Sequence, residues 1–298
     1  MKEPLVKKKK ILLIGGEGQL GSDLKGVLGN YELIVPSRAE LDISYFDQAK
    51  NFINNILPDV IINTAAFHQP EECEKDPQKS FLINTLAIKN LAEISKEKNI
   101  PLVHISTDYV FGLDENRSTP YTEEDLPGPV NIYGISKLSG EYCIQYTTSK
   151  FFIIRTSALF GVAGCRAKGG SNFVEMMLKL AREKGEARVK NDEWISPTYT
   201  KELAQNIAKL IETDYYGLYH ITNQGECSWY EFAQKIFELT NIQVKCLGVP
   251  SSEFPSPIKR PRYSVLDNKH LREKGLDTMS HWEIALKNYL KEKGYINF

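Results

Sequence analysis

Short, continuously apolar segments alternate with amphipathic segments of helical period through the first half of the chain. The apolar segments fall at residues 11–14, 32–35, 60–62, 102–105 and 151–154, and the helical ones at residues 19–28, 45–56, 77–98 and 133–146. Strands that are apolar at every position are buried on both faces, which is typical of parallel sheets covered by helices. The pattern therefore predicts an α/β fold with a doubly wound parallel sheet, whose ligands bind beyond the carboxyl ends of the strands.

The second half of the chain is less regular. Helical patterns fall at residues 173–184, 201–213, 229–239 and 281–293, an apolar strand at residues 218–222, and a proline-rich irregular stretch at residues 250–261. The loss of regular strand–helix alternation after about residue 157 predicts a dinucleotide-binding domain over residues 1–157, with a returning strand near residues 217–222. A smaller, mainly substrate-binding domain is predicted over residues 158–298.

Charge and cysteine content narrow the class of protein. A formal net charge of -1 gives no reason to expect nucleic acid or an anionic membrane as a partner. The five cysteines are widely spaced and contain no C-x-x-C pair, which predicts reduced thiols. No apolar stretch approaches the roughly 20 residues of a membrane span, and residues 11–14 lead into glycines rather than a cleavage site. We therefore expect a cytoplasmic protein.

Three glycines separate the first predicted strand from the first predicted helix. Gly15, Gly18 and Gly21 form G-x-x-G-x-x-G. Glycines at such a junction permit a tight turn, let backbone N–H groups approach a pyrophosphate and allow close packing of helix on strand. The same pattern also occurs in plain packing turns, but its place between strand and helix favours a nicotinamide dinucleotide.

The end of the second predicted strand bears on which nicotinamide cofactor is bound. An acidic residue there would bind the ribose hydroxyls of NADH, whereas a basic one would accept the 2′-phosphate of NADPH. The chain has Ser37 and Arg38 at this point, with Asp42 close by. The sequence thus favours NADPH, and Asp42 keeps NADH open, as does the alternative that Arg38 is an ordinary surface residue.

Tyr133 and Lys137 form Y-x-x-x-K on a predicted helix, where residues four apart lie on one face. Reduction of a ketone needs a proton donor, and a nearby ammonium would lower the pKa of a tyrosine towards the working range. Ser106 and Thr107 follow the strand at residues 102–105, and read alone they could be turn formers. Because a strand end faces the ligand crevice, we predict Thr107, Tyr133 and Lys137 as a catalytic set.

Together these motifs resemble the dTDP-4-dehydrorhamnose reductase family over almost the whole chain. The matching stretches are G-G-E-G-Q-L-G at 15–21, the segment at 58–77, S-T-D-Y-V-F-G at 106–112, N-I-Y-G-I-S-K at 131–137, R-T-S at 155–157, S-P-T-Y-T at 196–200, G-L-Y-H-I at 217–221 and K-R-P-R-Y-S-V-L-D at 259–267. The last four lie outside any generic cofactor fold, so they are more specific than the glycines.

The resemblance implies a Rossmann-like reductase of the extended short-chain dehydrogenase type. Hydride would pass from the nicotinamide to the C4 keto carbon of a nucleotide-linked 4-keto-6-deoxy sugar, with Tyr133 donating the proton. The predicted cofactor-binding residues are Gly15, Gly18, Gln19, Leu20, Gly21, Ser37, Arg38, Asp42, Ile43, Thr64, Ala65, Ala66, Tyr133 and Lys137. The predicted substrate-binding residues are His68, Thr107, Asp108, Tyr133, Ala158 and Arg260.

Three departures fall on the side expected to contact substrate. Many family members have tryptophan where this chain has Ala158, Val-Asp where it has Pro70-Glu71, and G-S-P-T where it has I-S-P-T at 195–198. Two alternatives therefore stay open: a sugar-nucleotide epimerase or dehydratase, and a non-catalytic regulatory subunit. The dehydratases usually follow the threonine with Asp-Glu, whereas this chain has Asp108-Tyr109, which favours reduction. A homodimer is also left open.

Weaker signals in the sequence concern metal binding, phosphate binding and the remaining aromatic and histidine residues. The acidic cluster near His68 matches no zinc pattern, so no metal is expected, and it is predicted to be a loop at the crevice edge. Three basic residues, Lys259, Arg260 and Arg262, are predicted to clamp a diphosphate, with a plain solvated basic stretch as the alternative. Trp229 is predicted to lie in the core or a domain interface. His104, like the three histidines downstream of it, shows no nucleophile partner.

Overall fold

The computed structural model describes residues 8–165 and 169–297. In the first half the helices and strands, in chain order, are β1 (Lys10–Ile14), α1 (Gln19–Val27), β2 (Glu32–Ile34), α2 (Phe46–Ile56), β3 (Val60–Asn63), α3 (Pro70–Lys75), α4 (Pro77–Phe81), α5 (Ala87–Lys98), β4 (Leu102–Thr107), α6 (Ile132–Thr147) and β5 (Phe151–Thr156).

The second half contains shorter strands between its helices. Its elements are β6 (Leu159–Phe160), α7 (Phe173–Lys184), β7 (Glu186–Lys190), β8 (Trp194–Ile195), β9 (Thr198–Tyr199), α8 (Thr200–Leu210), β10 (Gly217–His220), β11 (Cys227–Ser228), α9 (Trp229–Thr240), β12 (Lys245–Val249), α10 (Lys269–Glu273) and α11 (Trp282–Glu292).

Six strands form one parallel sheet in the order β2-β1-β3-β4-β5-β10. The strand expected near residues 217–222 is β10, which joins the sheet beside β5. Helices α1 and α8 supply buried residues to one core cluster against the sheet, and α2, α5 and α6 supply them to another. Helices thus cover both faces, and the predicted α/β, doubly wound parallel sheet is confirmed.

The strand register aligns the carboxyl ends of the central strands. Ile14 of β1 pairs with Asn63 of β3, Asn63 with His104 of β4, and His104 with Ile153 of β5. Strand β4 extends two residues beyond its predicted end, so Ser106 and Thr107 belong to the strand itself. The segments that follow these strands therefore meet at one edge of the sheet, where ligands of doubly wound folds bind.

The long helix predicted at residues 77–98 is interrupted. A π-helical turn at Leu82–Leu86 separates α4 from α5. Within it, the Asn84 side chain accepts a hydrogen bond from the Phe67 N–H at 2.9 Å and donates to Phe67 O at 2.8 Å and to Ser136 Oγ at 3.0 Å. These contacts come from outside the helix, so its own periodicity could not show them. The prediction of a loop at the crevice edge near His68 is also wrong in part, because residues 70–75 form helix α3.

The second half has a core of its own. Strands β7 and β12 pair in parallel, and buried residues of α7, α9 and α11 pack into the same cluster. Helix α9 begins with a capping box in which the Ser228 hydroxyl accepts the Glu231 N–H while the Glu231 carboxylate accepts the Ser228 N–H. Among the helices of the described ranges, none is long and apolar enough to cross a membrane.

Candidate active site

A cavity of about 380 Å³ lies at the carboxyl ends of the central strands. Residues that follow β1, β3, β4 and β5 line one side of it, and residues of the second half line the other. Of the predicted site residues, the following line this cavity: Gly18, Gln19, Leu20, Gly21, Thr64, Ala66, His68, Thr107, Asp108, Tyr133, Lys137, Ala158 and Arg260. The structure therefore brings most of the predicted set together.

The glycine loop packs tightly between β1 and α1. Gly15 has φ +81°, a conformation that favours glycine, and the Gly18 N–H donates to Gly15 O at 3.0 Å. A Cβ on Gly21 would lie 2.4 Å from Gly15 O, so only glycine fits there. At the start of α1, Gln19 lines the cavity, and its side-chain oxygen is buried without a hydrogen-bond partner. The tight loop at the N-terminus of α1 fits a dinucleotide ligand, and the unsatisfied Gln19 oxygen is an acceptor that a hydroxyl or amide donor of such a ligand, rather than its phosphates, would satisfy.

The remaining predicted cofactor residues lie outside the cavity lining. Gly15, at the start of the loop, packs closely against the backbone of Ala65, and Thr64, which does line the cavity, donates from Oγ1 to Gly15 O at 3.0 Å. Ser37 bonds to Glu40, and Ile43 is buried in the core. Arg38 Nε donates to Asp42 Oδ2 at 3.0 Å, and both side chains line a separate surface depression beyond β2.

Tyr133 and Lys137 lie on α6, one turn apart. Asn131 caps this helix, accepting the Gly134 N–H at 2.9 Å, and Thr107 ends β4 beside it. Burial raises the pKa of Tyr133 above its ordinary value, and a hydrogen bond with Thr107 opposes this rise. The predicted lowering of the Tyr133 pKa is therefore wrong in this structure, because burial outweighs the stabilisation of the phenolate.

The Lys137 amine is anchored on the β4 side of the cavity. Its Nζ donates to Ile105 O at 2.6 Å and contacts His104 Nε2 at 3.0 Å. Burial lowers the pKa of Lys137 to about 8, although Glu141 and Cys73 act to raise it. His104, for which no partner was predicted, is thus in contact with a catalytic candidate. The sequence signal for this contact was that His104 is the one polar residue in the otherwise apolar strand predicted at residues 102–105.

Asp108 joins three segments behind Thr107, the threonine of the predicted catalytic set. Its carboxylate accepts hydrogen bonds from Ser264 Oγ at 2.6 Å, Ser157 Oγ at 2.9 Å and Thr107 Oγ1 at 3.1 Å. Burial raises the pKa of Asp108, and these three hydroxyls oppose the rise. The arrangement ties the ends of β4 and β5 to the C-terminal segment and helps to orient Thr107.

The side of the cavity opposite the glycine loop carries cationic and thiol groups. Arg260 Nη1 donates to Tyr109 Oη at 2.7 Å, and Arg260 Nη2 pairs with Glu71. His68 Nε2 lies 3.4 Å from Cys165 Sγ. The guanidinium of Arg260 is thus held at the cavity wall rather than in a solvated basic stretch.

Two residues of the second half, Trp229 and Ala158, have features that the sequence did not predict. Trp229 was predicted to lie in the core or an interface; it does pack on Phe173, with ring centroids 4.6 Å apart, but both rings also line the cavity. Ala158 lines the cavity with φ +44°, an uncommon conformation for a residue other than glycine.

The described residues contain no group of three or more His, Cys, Asp or Glu that could hold a metal ion.

A family model described as the RmlD substrate binding domain matches residues 9–294. The chain is 41% identical over 286 residues to the spore coat polysaccharide biosynthesis protein SpsK of Bacillus subtilis (strain 168), covering 95% of this chain and 98% of that protein. It is 34% identical over 294 residues to a dTDP-4-dehydrorhamnose reductase of Aggregatibacter actinomycetemcomitans, covering 94% and 97%. The chain belongs to the RmlD family.

Solved structures of RmlD-family proteins have the same fold. The crystal structure of dTDP-4-dehydrorhamnose reductase from Bacillus anthracis str. Ames in complex with NADP is 38% identical, with a TM-score of 0.90 over 96% of this chain and 99% of that one. The family resemblance predicted from the motifs is therefore confirmed. The roles of individual residues in this RmlD-family chain stay predictions.

Proposed function

We propose that this chain reduces the C4 keto group of a nucleotide-linked 4-keto-6-deoxy sugar, converting dTDP-4-dehydrorhamnose to dTDP-L-rhamnose with NADPH. The chain is an NADP(H)-dependent oxidoreductase of the sugar-nucleotide reductase type, as its family membership indicates. The observation that carries the finer proposal is the meeting of Thr107, Tyr133 and Lys137 with the glycine loop at one cavity. The name of the Bacillus subtilis relative agrees with a sugar product used in a polysaccharide.

The residues present fit the cofactor. The tight Gly15–Gly21 loop at the start of α1 suits the close approach of a pyrophosphate to backbone N–H groups. Lys137 would hold the nicotinamide ribose, and the depression beside Arg38 would take the 2′-phosphate. When bound, NADPH supplies the hydride.

The chain itself supplies proton donation and orientation. We propose that Tyr133 Oη gives its proton to the oxygen that hydride addition leaves negative. Burial raises the pKa of Tyr133 and makes it a weaker acid, but the alkoxide that hydride addition would leave is a stronger base than a phenolate and can still take the proton. The single hydroxyl hydrogen of Thr107 is donated to Asp108 in this structure, and we propose that it turns to the same carbonyl oxygen when the sugar is bound, which draws electron density from the carbonyl carbon.

The alternatives have less support in this cavity. Elimination of water uses an acid–base pair after the threonine, whereas Tyr109 occupies the second place and its hydroxyl accepts a bond from Arg260. A purely regulatory subunit would have no chemical need for the assembled Thr-Tyr-Lys set.

We also propose that the chain divides at about residue 157, with the first half binding cofactor and the second half binding mainly substrate. Homodimer formation and a cytoplasmic location stay predictions.

A direct assay tests the proposed reaction. Purified protein is given dTDP-4-dehydrorhamnose with NADPH, and cofactor oxidation is followed by absorbance while the sugar product is identified by NMR. We expect stoichiometric formation of dTDP-L-rhamnose. Absence of oxidation with either NADPH or NADH would exclude this substrate, and tightly retained oxidised cofactor with no net consumption would favour an epimerase.

Arg38→Ala is expected to raise the KM for NADPH by roughly tenfold, the loss expected for one hydrogen-bonded charge pair. Arg38 is 75% exposed and paired only with Asp42 on the surface, so the fold should be unaffected. Initial rates with NADPH and with NADH measure the effect, which should be small for NADH. Arg272, an exposed arginine that also pairs with an aspartate, provides the matched control in Arg272→Ala. Equal losses with both cofactors would contradict a 2′-phosphate contact.

Arg260→Met is expected to raise the KM for the sugar nucleotide by roughly tenfold or more, because methionine keeps much of the side-chain volume but removes the diphosphate contact. The KM for NADPH should change little. Arg262→Met is the matched control, since Arg262 is exposed in the same segment. If both variants raised the substrate KM equally, a general basic surface rather than a clamp at Arg260 would be indicated.

A further inference from the structure

A chain of three polar side chains runs from the catalytic lysine into the sheet. Lys137 Nζ contacts His104 Nε2 at 3.0 Å, and His104 Nδ1 contacts Asn63 Nδ2 at 3.2 Å. His104 and Asn63 are completely buried, on the adjacent strands β4 and β3. Both lie behind Lys137 as seen from the cavity, so neither is placed to touch a substrate.

The orientation of the Asn63 amide is determined by its backbone neighbour. Asn63 Oδ1 accepts the Ala65 N–H at 3.2 Å, which leaves Nδ2 facing the imidazole. An amide nitrogen can only donate. His104 Nδ1 must therefore be the unprotonated nitrogen of the ring, and it accepts from Asn63.

The charge state of the ring follows from its surroundings. Burial lowers the pKa of His104 well below its ordinary value, so the ring is neutral. A neutral imidazole carries one hydrogen, and with Nδ1 accepting, that hydrogen is on Nε2. It points at Lys137 Nζ, which can receive it only with the lone pair of an uncharged amine. The same amine still donates to Ile105 O.

We propose that Asn63 and His104 are positioning residues that stabilise the uncharged form of Lys137 and direct its remaining N–H towards the cavity. After turnover Lys137 would take a proton from water, pass it as the ammonium to the Tyr133 phenolate, and return to the uncharged form that the imidazole stabilises. The inference rests on the proposed role of Lys137, but its test below needs neither substrate nor cofactor.

Other groups near Lys137 do not account for this effect. Glu141, one turn along α6, acts to raise the pKa of Lys137, and so does Cys73 of α3. Glu141 is paired with Arg155, and burial raises the pKa of the Cys73 thiol, which keeps it protonated. Tyr133, on the same helix, is kept neutral by its own burial. His104 is thus the neighbour whose hydrogen bond favours the uncharged amine.

Asn63→Asp tests the chain of hydrogen bonds. A carboxylate has no hydrogen to donate, so it accepts the Nδ1 hydrogen and leaves Nε2 as an acceptor for the ammonium. The pKa of Lys137 should then rise by about one unit or more. It is measured in the full-length protein by ¹⁵N NMR of labelled lysine side chains between about pH 6 and pH 10, with the resonance assigned by its loss in Lys137→Met.

The new carboxylate also attracts the ammonium directly, so the same substitution is made in a His104→Leu background. If the effect passes through the imidazole, the rise should be less than half as large without it. Equal rises in the two backgrounds, or no rise in the first, would overturn the proposal. His220→Gln is the matched control, since His220 is an equally buried histidine that contacts Arg155 instead, and the pKa of Lys137 should not change.

A charge-free variant covers the case in which the buried carboxylate prevents folding. Asn63→Ser removes the amide donor and frees the ring to carry its hydrogen on either nitrogen. The pKa of Lys137 should then rise, by less than in Asn63→Asp. An unchanged or lowered pKa in a folded Asn63→Ser protein would show that Asn63 does not determine the state of the ring.

Discussion

Tyr133→Phe is expected to lower kcat by about 10²–10⁴-fold, the range that positioned general acids contribute. The hydroxyl is the only group removed, and its hydrogen-bond partner in the structure is Thr107. Because the ring and its packing against Tyr109 are kept, with ring centroids 5.6 Å apart, the helix and the cavity should keep their shape. Initial rates of NADPH oxidation give kcat, and quenching of protein fluorescence gives the Kd for NADPH, which should change little.

The control for this variant lies on the same helix. Tyr142 is 53% exposed on α6, so Tyr142→Phe removes a hydroxyl of the same kind away from the cavity. Its kcat should equal that of the parent. If Tyr133→Phe reduced the sugar at the parental rate, Tyr133 would not be the proton donor, and Thr107 would become the group to test.

Glu141→Gln is expected to lower the free energy of unfolding by about 3–5 kcal/mol, the cost of leaving a buried charge without its partner. Arg155 and Glu141 are both almost completely buried and pair through Nη2 and Oε2 at 2.7 Å. Ser106 also donates to this carboxylate. Glutamine keeps the shape but leaves the guanidinium uncompensated between α6 and β5. Urea unfolding followed by circular dichroism measures the change.

An exposed pair on a neighbouring helix supplies the comparison. Glu93 pairs with Lys89 on α5 with both side chains about half exposed, so Glu93→Gln should cost no more than about 1 kcal/mol. The two variants make the same chemical change and differ in burial. Similar losses in the two would mean that Arg155 finds another partner or water in Glu141→Gln.

Much of the fold was predictable because its signals are local. Apolar strands and helical periodicity lie within single segments, and the glycines, Tyr133 and Lys137 are recognisable by spacing alone. The register of the parallel strands places Thr107 at the carboxyl edge of the sheet, and α6, which precedes β5, lies against this part of the structure. These are the parts of the structure that short-range sequence patterns determine.

The contacts that were missed depend on partners distant in sequence. His104 meets Lys137 across 33 residues, and Trp229 reaches the cavity only because α7 and α9 pack together. The pKa of Tyr133 was predicted in the wrong direction for the same reason. Four-residue spacing shows a nearby lysine, but it does not show how deeply the phenol is buried.

The π-helical turn at Leu82–Leu86 can be regarded as a helix that carries one surplus residue. Removing a residue there would restore regular α-helical bonding but turn Asn84 about 100° around the axis. Asn84 would then leave both Phe67, next to His68, and Ser136, which lies between Tyr133 and Lys137. A shortened chain could therefore gain backbone regularity while losing the hydrogen bonds that join the segment at Phe67 to helix α6. At this turn the chain lacks regular α-helical hydrogen bonding, and in return Asn84 holds the segment before His68 and helix α6 in a fixed relative position.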